Sequence, residues 1–268
     1  METDLDLFIT GTAQSDNGVA FSATINMEAL TGWNYANAGA NTTTTTVSAS
    51  KDGLSFTFGN TDGAADRLTN ETARLYPGVG FELWGGHVDN IDAGQVARVE
   101  YTMDNGLRMA GSYNGTADQM GVALQYSING LTVGIGREDS GLATTTNKDY
   151  TVVSASYTMG DFTVSAIHHR SDNQLGVTTR DQTDFGIVYN AGAVRFGVES
   201  LSDSVANTDN WTAFAEYNMG GGVTAFVQGG TRDYAAITTA VAGSAADAGN
   251  TAALNEEGVF AAGVKFNF

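Results

Sequence analysis

Hydrophobic side chains alternate with small or polar ones along most of the chain. The clearest runs are residues 120–128, 131–136 and 260–268, in which every second residue is apolar or aromatic. Alternation with period two places the apolar side chains on one face of an extended strand. The i, i+3, i+4 pattern of an amphipathic helix does not recur, and frequent glycines disfavour helix interiors. The pattern therefore predicts an all-β protein.

Two kinds of connection separate the predicted strands. Seven tight turns built from Asn, Asp and Gly lie at residues 16–18, 51–53, 104–106, 128–130, 159–161, 190–192 and 220–222. Between them lie longer polar connections, at about 31–43, 60–94, 114–119, 138–149, 172–182, 203–210 and 235–255. Because short and long connections alternate, we expect an antiparallel up-and-down sheet with every tight turn at one end.

A tyrosine stands just before five of the tight turns. The five are Tyr101, Tyr126, Tyr157, Tyr189 and Tyr217. Tyrosine is common at strand ends, which would account for isolated cases. Five repeats on the same strand face favour a ring of aromatic side chains at a membrane–water interface.

The composition of the two strand faces distinguishes a soluble sandwich from a membrane barrel. One face is Val, Leu, Ile, Ala, Met and aromatic, as lipid requires. The other face is Thr, Ser, Gly and Ala with scattered charges, too polar for a sandwich core but suited to a water-filled lumen. The charged wall candidates are Arg98, Glu100, Arg108, Arg195, Glu199, Glu216 and Lys265. We therefore predict a transmembrane antiparallel β-barrel.

The strand count comes to fifteen. Seven tight turns flank 14 strands, and residues 256–268 add one. The first and last of these strands run in the same direction, so closure would pair them in parallel. Residues 1–10 also lack the basic and apolar regions of a signal peptide. Our hypothesis is that a further strand and a signal peptide precede the chain, giving 16 strands.

Composition excludes several other classes. The chain has 268 residues, with 34 glycines, one proline and no cysteine. The absence of cysteine removes disulfides, thiolate catalysis and cysteine–zinc sites. Acidic residues number 30 against 12 basic ones, for a net charge of −18, which argues against a nucleic-acid partner. The mean hydropathy of −0.14 is then the average of a lipid face and a water face.

Three features carry a resemblance to a known family. They are the opening hairpin Phe8–Ala23, the long connection 60–94 after the strand Leu54–Gly59, and the ending G-V-K-F-N-F with aromatic Phe266 and Phe268. With them the whole chain resembles the general diffusion porins of Gram-negative outer membranes, especially the alphaproteobacterial, Rhodobacter-type porins. The resemblance implies one domain over residues 1–268, a 16-strand barrel in the outer membrane and a homotrimer. It also implies that the barrel assembly machinery reads the terminal aromatic residues.

The connection 60–94 is the candidate constriction. It is the longest connection and holds the only proline, Pro77. Residues 64–75 could form a short helix. An acidic outer loop in solvent is the plain alternative; the resemblance favours a loop that folds into the barrel and narrows it. Its carboxylates would then face wall cations, for which the candidates are Arg98, Arg108, Arg195 and Lys265. The candidate constriction carboxylates are Asp62, Asp66, Glu71, Glu82, Asp89 and Asp92.

The expected function is passive diffusion of small hydrophilic solutes and ions, with the carboxylate excess favouring cations. A substrate-specific channel of the same fold, or a surface structural or adhesive β protein, are the alternatives. No nucleotide-binding, zinc-protease or serine-hydrolase motif is present, so we expect no catalytic residues and no cofactor. His168 and His169 are adjacent and point to opposite strand faces. Acidic loop residues could bind calcium as a bridge to lipopolysaccharide; they are Asp203, Asp209, Glu256 and Glu257.

Overall fold

The computed structural model describes residues 2–32, 42–70, 95–115, 118–140, 148–173, 177–205, 207–232 and 257–266. Fifteen strands and one short helix, α1 (Asp66–Asn70), make up this part of the chain. The strands are β1 (Glu2–Gln14), β2 (Ala20–Gly32), β3 (Thr42–Lys51), β4 (Leu54–Gly59), β5 (Val96–Thr102), β6 (Leu107–Asn114), β7 (Gln119–Ile128), β8 (Leu131–Ser140), β9 (Lys148–Met159), β10 (Phe162–Asn173), β11 (Thr178–Ala191), β12 (Val194–Asp203), β13 (Thr208–Gly220), β14 (Val223–Arg232) and β15 (Glu257–Phe266). None of the described residues belongs to a helix that could span a membrane.

All fifteen strands form one sheet in which spatial order equals chain order. Every neighbouring pair is antiparallel, so the up-and-down arrangement predicted from the alternating connections is confirmed. β1 and β15 stand at the two ends of this order. Both run toward the end of the sheet that carries the tight turns.

The tight turns form where the sequence predicts them, and their backbone explains the residue types. Asp52–Gly53 and Asn129–Gly130 have positive φ at both positions, 49° and 81° in the first pair and 48° and 83° in the second. Two-residue turns with positive φ at both positions match the right-handed twist of the flanking strands, and Asn, Asp and Gly adopt them most readily. The turns therefore fix the register of the hairpins.

The two faces of the sheet are inverted relative to a soluble protein. Met120 and Val122 on one face are each 62% exposed, whereas the charged Glu138 on the other face is 2% exposed. The exposed face carries the apolar series of β7, β8 and β15, as the alternation predicts. We call it the apolar face and the opposite one the polar face. An apolar exterior around a polar interior is the arrangement of a transmembrane β-barrel.

The five predicted interface tyrosines all lie on the apolar face beside the tight turns. Tyr126 is paired with Leu107 on β6 and Val133 on β8, two residues from the turn. The ring of Tyr189 packs against Phe162 and Phe196, with centroid distances of 4.5 and 5.2 Å. A continuous aromatic row therefore runs across β10, β11 and β12 at one height. Its role at a membrane interface stays a prediction.

Several strands extend further than the hydrophobic alternation indicates. The connection expected at 172–182 is reduced to residues 174–177, because the β10–β11 ladder continues through the pairing of Arg170 with Asp181. On the apolar side, ion pairs replace apolar contacts at this height. Arg170 lies 3.2 Å from Asp172, and Arg137 lies 3.1 Å from Asp149. The hydrogen-bonded ladder thus continues beyond the apolar belt. A strand boundary that is predicted from hydropathy alone lies too early along the chain.

If the apolar face contacts lipid, a charged side chain in the middle of that face should destabilise the barrel. Leu124 is the third of five outward residues on β7, near the middle of the apolar belt. We expect Leu124→Arg to lower the free energy of unfolding in lipid vesicles by about 2–4 kcal/mol, since a cation there faces hydrocarbon. Urea unfolding measures the change. Ser156→Arg on the polar face of β9 is the control, and an equal loss in that variant would contradict the assignment.

Candidate functional site: a segment seated on the polar face

The chain leaves β4 and crosses the polar face of the sheet instead of continuing away from it. We call this stretch segment 61–70. Ala64 and Leu68 are fully buried against Ala110 on β6 and Ala123 on β7. Ala65 packs into a second cluster. That cluster consists of Ala65, Tyr150, Val152 and Ile167. The segment therefore lies across β6–β10 with its small side chains against the wall.

Three hydrogen bonds with wall side chains fix the backbone of the segment. The amide of Ala64 donates to Ser112 Oγ at 2.8 Å, and the amide of Ala65 donates to Glu138 Oε1 at 3.3 Å. Near the end of α1, Gln125 Nε2 donates to the carbonyl of Leu68 at 2.8 Å. These contacts satisfy backbone groups that a short helix leaves open at its ends.

Glycines on the polar face make room for the segment. A Cβ added to Gly136 would lie 2.6 Å from the Cβ of Ala65, and one added to Gly134 would lie 2.9 Å from the carbonyl oxygen of Leu68. One added to Gly121 would lie 2.5 Å from Ser112 Oγ, which accepts the Ala64 amide. These three glycines were missed as site residues. Their signal was the run of glycines at inward positions on two adjacent strands, β7 and β8.

An arginine–glutamate cluster lies beside the start of the segment. Arg98 Nε and Arg108 Nη2 each lie 2.9 Å from an oxygen of Glu100, and Arg67 Nε lies 3.5 Å from it. Arg98 also donates to Thr61 Oγ1 at 3.0 Å and to the carbonyl of Asp62. Arg98 and Arg108, expected as cations facing the segment from the wall, thus lie on the strands next to it and pair with Glu100.

The predicted constriction carboxylates are only partly described. Asp62 lies at the start of the segment, and Asp66 begins α1 and is 8% exposed. Glu71, Glu82, Asp89 and Asp92 lie outside the described residues. Of the helix expected at 64–75, α1 covers Asp66–Asn70, and residues 71–75 also lie outside.

The remaining wall candidates lie on the strands farther along the sheet. Arg195 on β12 and Glu216 on β13 form an ion pair of 2.8 Å, and the Arg195 guanidinium lies 4.9 Å above the Phe214 ring. Glu199 is buried on the polar face of β12, and Lys265 is exposed on β15. Arg180 on β11 lies 3.6 Å from Asp203.

A buried polar cluster on β9, β10 and β11 was not anticipated. Tyr150 Oη lies 2.5 Å from His169 Nδ1, and His169 Nε2 lies 3.9 Å from Asp184 Oδ2. Gln182 Nε2 donates to Asp184 at 3.3 Å. Only the adjacency of His168 and His169 was visible in the sequence, and the two do lie on opposite faces, His168 exposed and His169 buried.

The calcium candidates do not form a cluster in the described part of the chain. Asp203 pairs with Arg180 and accepts a hydrogen bond from the Val205 amide at 2.9 Å. Asp209 is exposed on the opposite, apolar side of β13. Glu256 and the side chain of Glu257 lie outside what is described. Among described residues, no group of three His, Asp or Glu side chains is arranged to hold a metal ion.

These features define a class of protein: a β-barrel with a lipid-facing exterior, a polar interior and a segment folded against its inner wall. The family model of the Gram-negative porin matches residues 1–236, and the chain belongs to that family. The family membership and barrel fold predicted from sequence are therefore confirmed. The protein is a channel of the outer membrane and not an enzyme.

Solved porin structures share the fold. Two mutants of the Rhodopseudomonas blastica porin match with TM-scores of 0.72 and 0.71, at 22% and 21% sequence identity. In both cases the match covers 100% of this chain and 91% of the other. No curated protein sequence matches the chain.

The space left by Gly136 should determine how close segment 61–70 lies to the wall. In Gly136→Ala the new methyl group would overlap Ala65, and ordinary carbon–carbon contact needs a shift of about 1 Å away from the wall. That shift moves segment 61–70 toward the channel axis, so we expect a lower single-channel conductance in planar bilayers. Gly111→Ala is the matched control, since its Cβ would meet only the Gly121 carbonyl oxygen at 3.9 Å. Unchanged conductance in Gly136→Ala would show that the seat does not position the segment.

Proposed function

We propose that this porin is a passive, cation-preferring diffusion pore whose width is set by the connection 60–94. The observation that supports the width limit is the seating of segment 61–70 on the polar face of β6–β10. A chain segment that lies inside a barrel takes cross-section from the lumen and lowers the size of solute that passes. No chemical step is needed, because solutes move down their own gradients.

Cation preference is supported by the acidic excess of the chain. Each arginine whose side chain is described on the polar face has a carboxylate within 4 Å. The arginines are Arg67, Arg98, Arg108, Arg180 and Arg195. Arg180 and Arg195 each have a carboxylate of their own, whereas the other three share Glu100. Against the positive charge left there, the chain as a whole carries a charge of −18. Cations are then attracted to the channel and anions are repelled.

Further carboxylates lie on the strands that follow the seat of the segment. Asp184, Glu199 and Asp203 are all on the polar face of β11 and β12, the two strands next to β10. Their side chains would line the lumen beside segment 61–70, and the carboxylates Glu82 and Asp89 would add to them.

We also propose an oligomeric state and lipid contacts for the channel. As in the family to which it belongs, we propose a homotrimer in contact with lipopolysaccharide. Phe266 is exposed on the apolar face of β15, where it pairs with Val223, and Phe268 lies outside the described residues. The two together would be the signal read by the barrel assembly machinery.

Reversal potentials in a potassium chloride gradient test the selectivity. Protein purified from outer membranes should show cation preference in planar bilayers, and Glu199→Gln should reduce it because one inward carboxylate is lost. Neutralising Glu82 and Asp89 together should reduce it further. Asp172→Asn is the control, since this carboxylate pairs with Arg170 on the lipid side of the wall.

Three outcomes would go against the proposal. Anion preference of the wild-type channel would contradict the charge assignment. Conductance that saturates and is blocked by one solute would identify a substrate-specific channel instead. A detergent-independent soluble protein without conductance would favour a surface β protein.

A further inference from the structure

We propose that Glu100 is the positioning residue for the constriction. Three series of side-chain contacts, which we call chains, start at Glu100 and reach segment 61–70. The inference rests on the proposed role of that segment in setting the pore width. Glu100 touches no atom of the segment backbone in the described contacts. It acts through the three arginines that surround it, each of which leads to a different point of the segment.

The first chain leads to the start of the segment. Arg98 is 5% exposed and donates through Nε to Glu100 at 2.9 Å. Its Nη1 donates to Thr61 Oγ1 at 3.0 Å and to the carbonyl of Asp62. One planar guanidinium thus bridges β5 and the first residues after β4, which a rigid fork of donors does better than a single ammonium.

The second and third chains lead to α1. Arg67, on the helix itself, lies 3.5 Å from Glu100. Arg108 donates to Glu100 Oε2 at 2.9 Å and, through Nη1, to Gln125 Oε1 at 3.0 Å. The amide nitrogen of Gln125 then donates to the carbonyl of Leu68 at 2.8 Å. The same carboxylate therefore contacts Arg67 of the segment directly. It also orients the side chains that donate to residues 61–62 and, through Gln125, to residue 68.

Glu100 is the member of this cluster whose loss affects all three chains. It is 8% exposed, so solvent replaces little of its interaction with the arginines. Without its charge, three guanidinium groups would remain close together and repel one another. The hydrogen bonds that the Ala64 and Ala65 amides donate to Ser112 and Glu138 do not involve Glu100. Segment 61–70 should therefore stay on the wall but become loose at its two ends.

The first experiment measures position and not current. Because the chain has no cysteine, Asp62→Cys gives a single attachment point for a spin label. In the labelled barrel we expect Glu100→Gln to raise the mobile fraction of the label about tenfold, since a lost charge-assisted hydrogen bond shifts a local equilibrium by that order. An unchanged spectrum would overturn the proposal.

Two further variants make the result specific. Glu216→Gln removes another inward carboxylate with one arginine partner, Arg195, and should leave the label immobile. Arg98→Lys keeps the charge but cannot contact Glu100, Thr61 and Asp62 together, so it should loosen the label to a smaller extent. If Glu100→Gln does not assemble, Arg98→Lys carries the test, and an immobile label in that variant would overturn the proposal.

Current recordings on the same variants separate this inference from the proposed function. We expect the open-channel current noise of Glu100→Gln to exceed that of Glu216→Gln severalfold, as the segment moves in and out of the conducting path. A mobile label with unchanged current would uphold the positioning role of Glu100 and contradict the role of the segment as the constriction. A noisy current with an immobile label would contradict the positioning role, because the charge change alone would then explain the current.

Discussion

The requirement that every backbone amide and carbonyl in a bilayer be hydrogen-bonded governs this structure. Water cannot satisfy these groups in the hydrocarbon region, so the strands must pair continuously with their neighbours. Continuous pairing explains the single proline among 268 residues and the confinement of glycines with positive φ largely to the tight turns. It also fixes the two faces, since a pleated ladder points alternate side chains toward lipid and toward water. The inverted burial of Val122 and Glu138 follows from that one constraint.

The ladder and the turns are local features, and the sequence predicts them well. The pair Asn129–Gly130 specifies a tight turn by its backbone preference alone, and the series from Met120 to Ile128 specifies a strand and its lipid face. The ends of the long strands were less predictable. Arg170 and Asp181 look like loop residues by hydropathy, yet the β10–β11 ladder continues through them. Hydropathy reports the lipid boundary, whereas the ladder ends where its hydrogen bonds end.

The location of the candidate site could be predicted from the sequence, but the contacts that hold it could not. A long acidic connection after the fourth predicted strand indicated where a constriction would form. What holds segment 61–70 depends on register, which brings Gly121, Gly134 and Gly136 under it. Period-two alternation shows that these residues face inward, but not that another part of the chain crosses that patch. The role of Arg98 was hidden for the same reason: its partners are two residues away on β5 and 36 to 37 residues away in segment 61–70.

A segment inside a water-filled barrel poses a different physical problem from a loop on a protein surface. Its apolar contacts are few and small, involving mainly Ala64, Ala65 and Leu68, so burial of hydrocarbon contributes modestly to holding it. Directional bonds from buried wall side chains must supply the rest, and charge-assisted bonds are the strongest of these. Placing them around one carboxylate has a second consequence. Arg67, Arg98 and Arg108 share the single charge of Glu100, so the cluster keeps positive charge beside the segment, and the proposed cation preference has to come from other carboxylates. Anchoring of the segment by these ion pairs and the proposed cation preference are therefore separate properties of the wall.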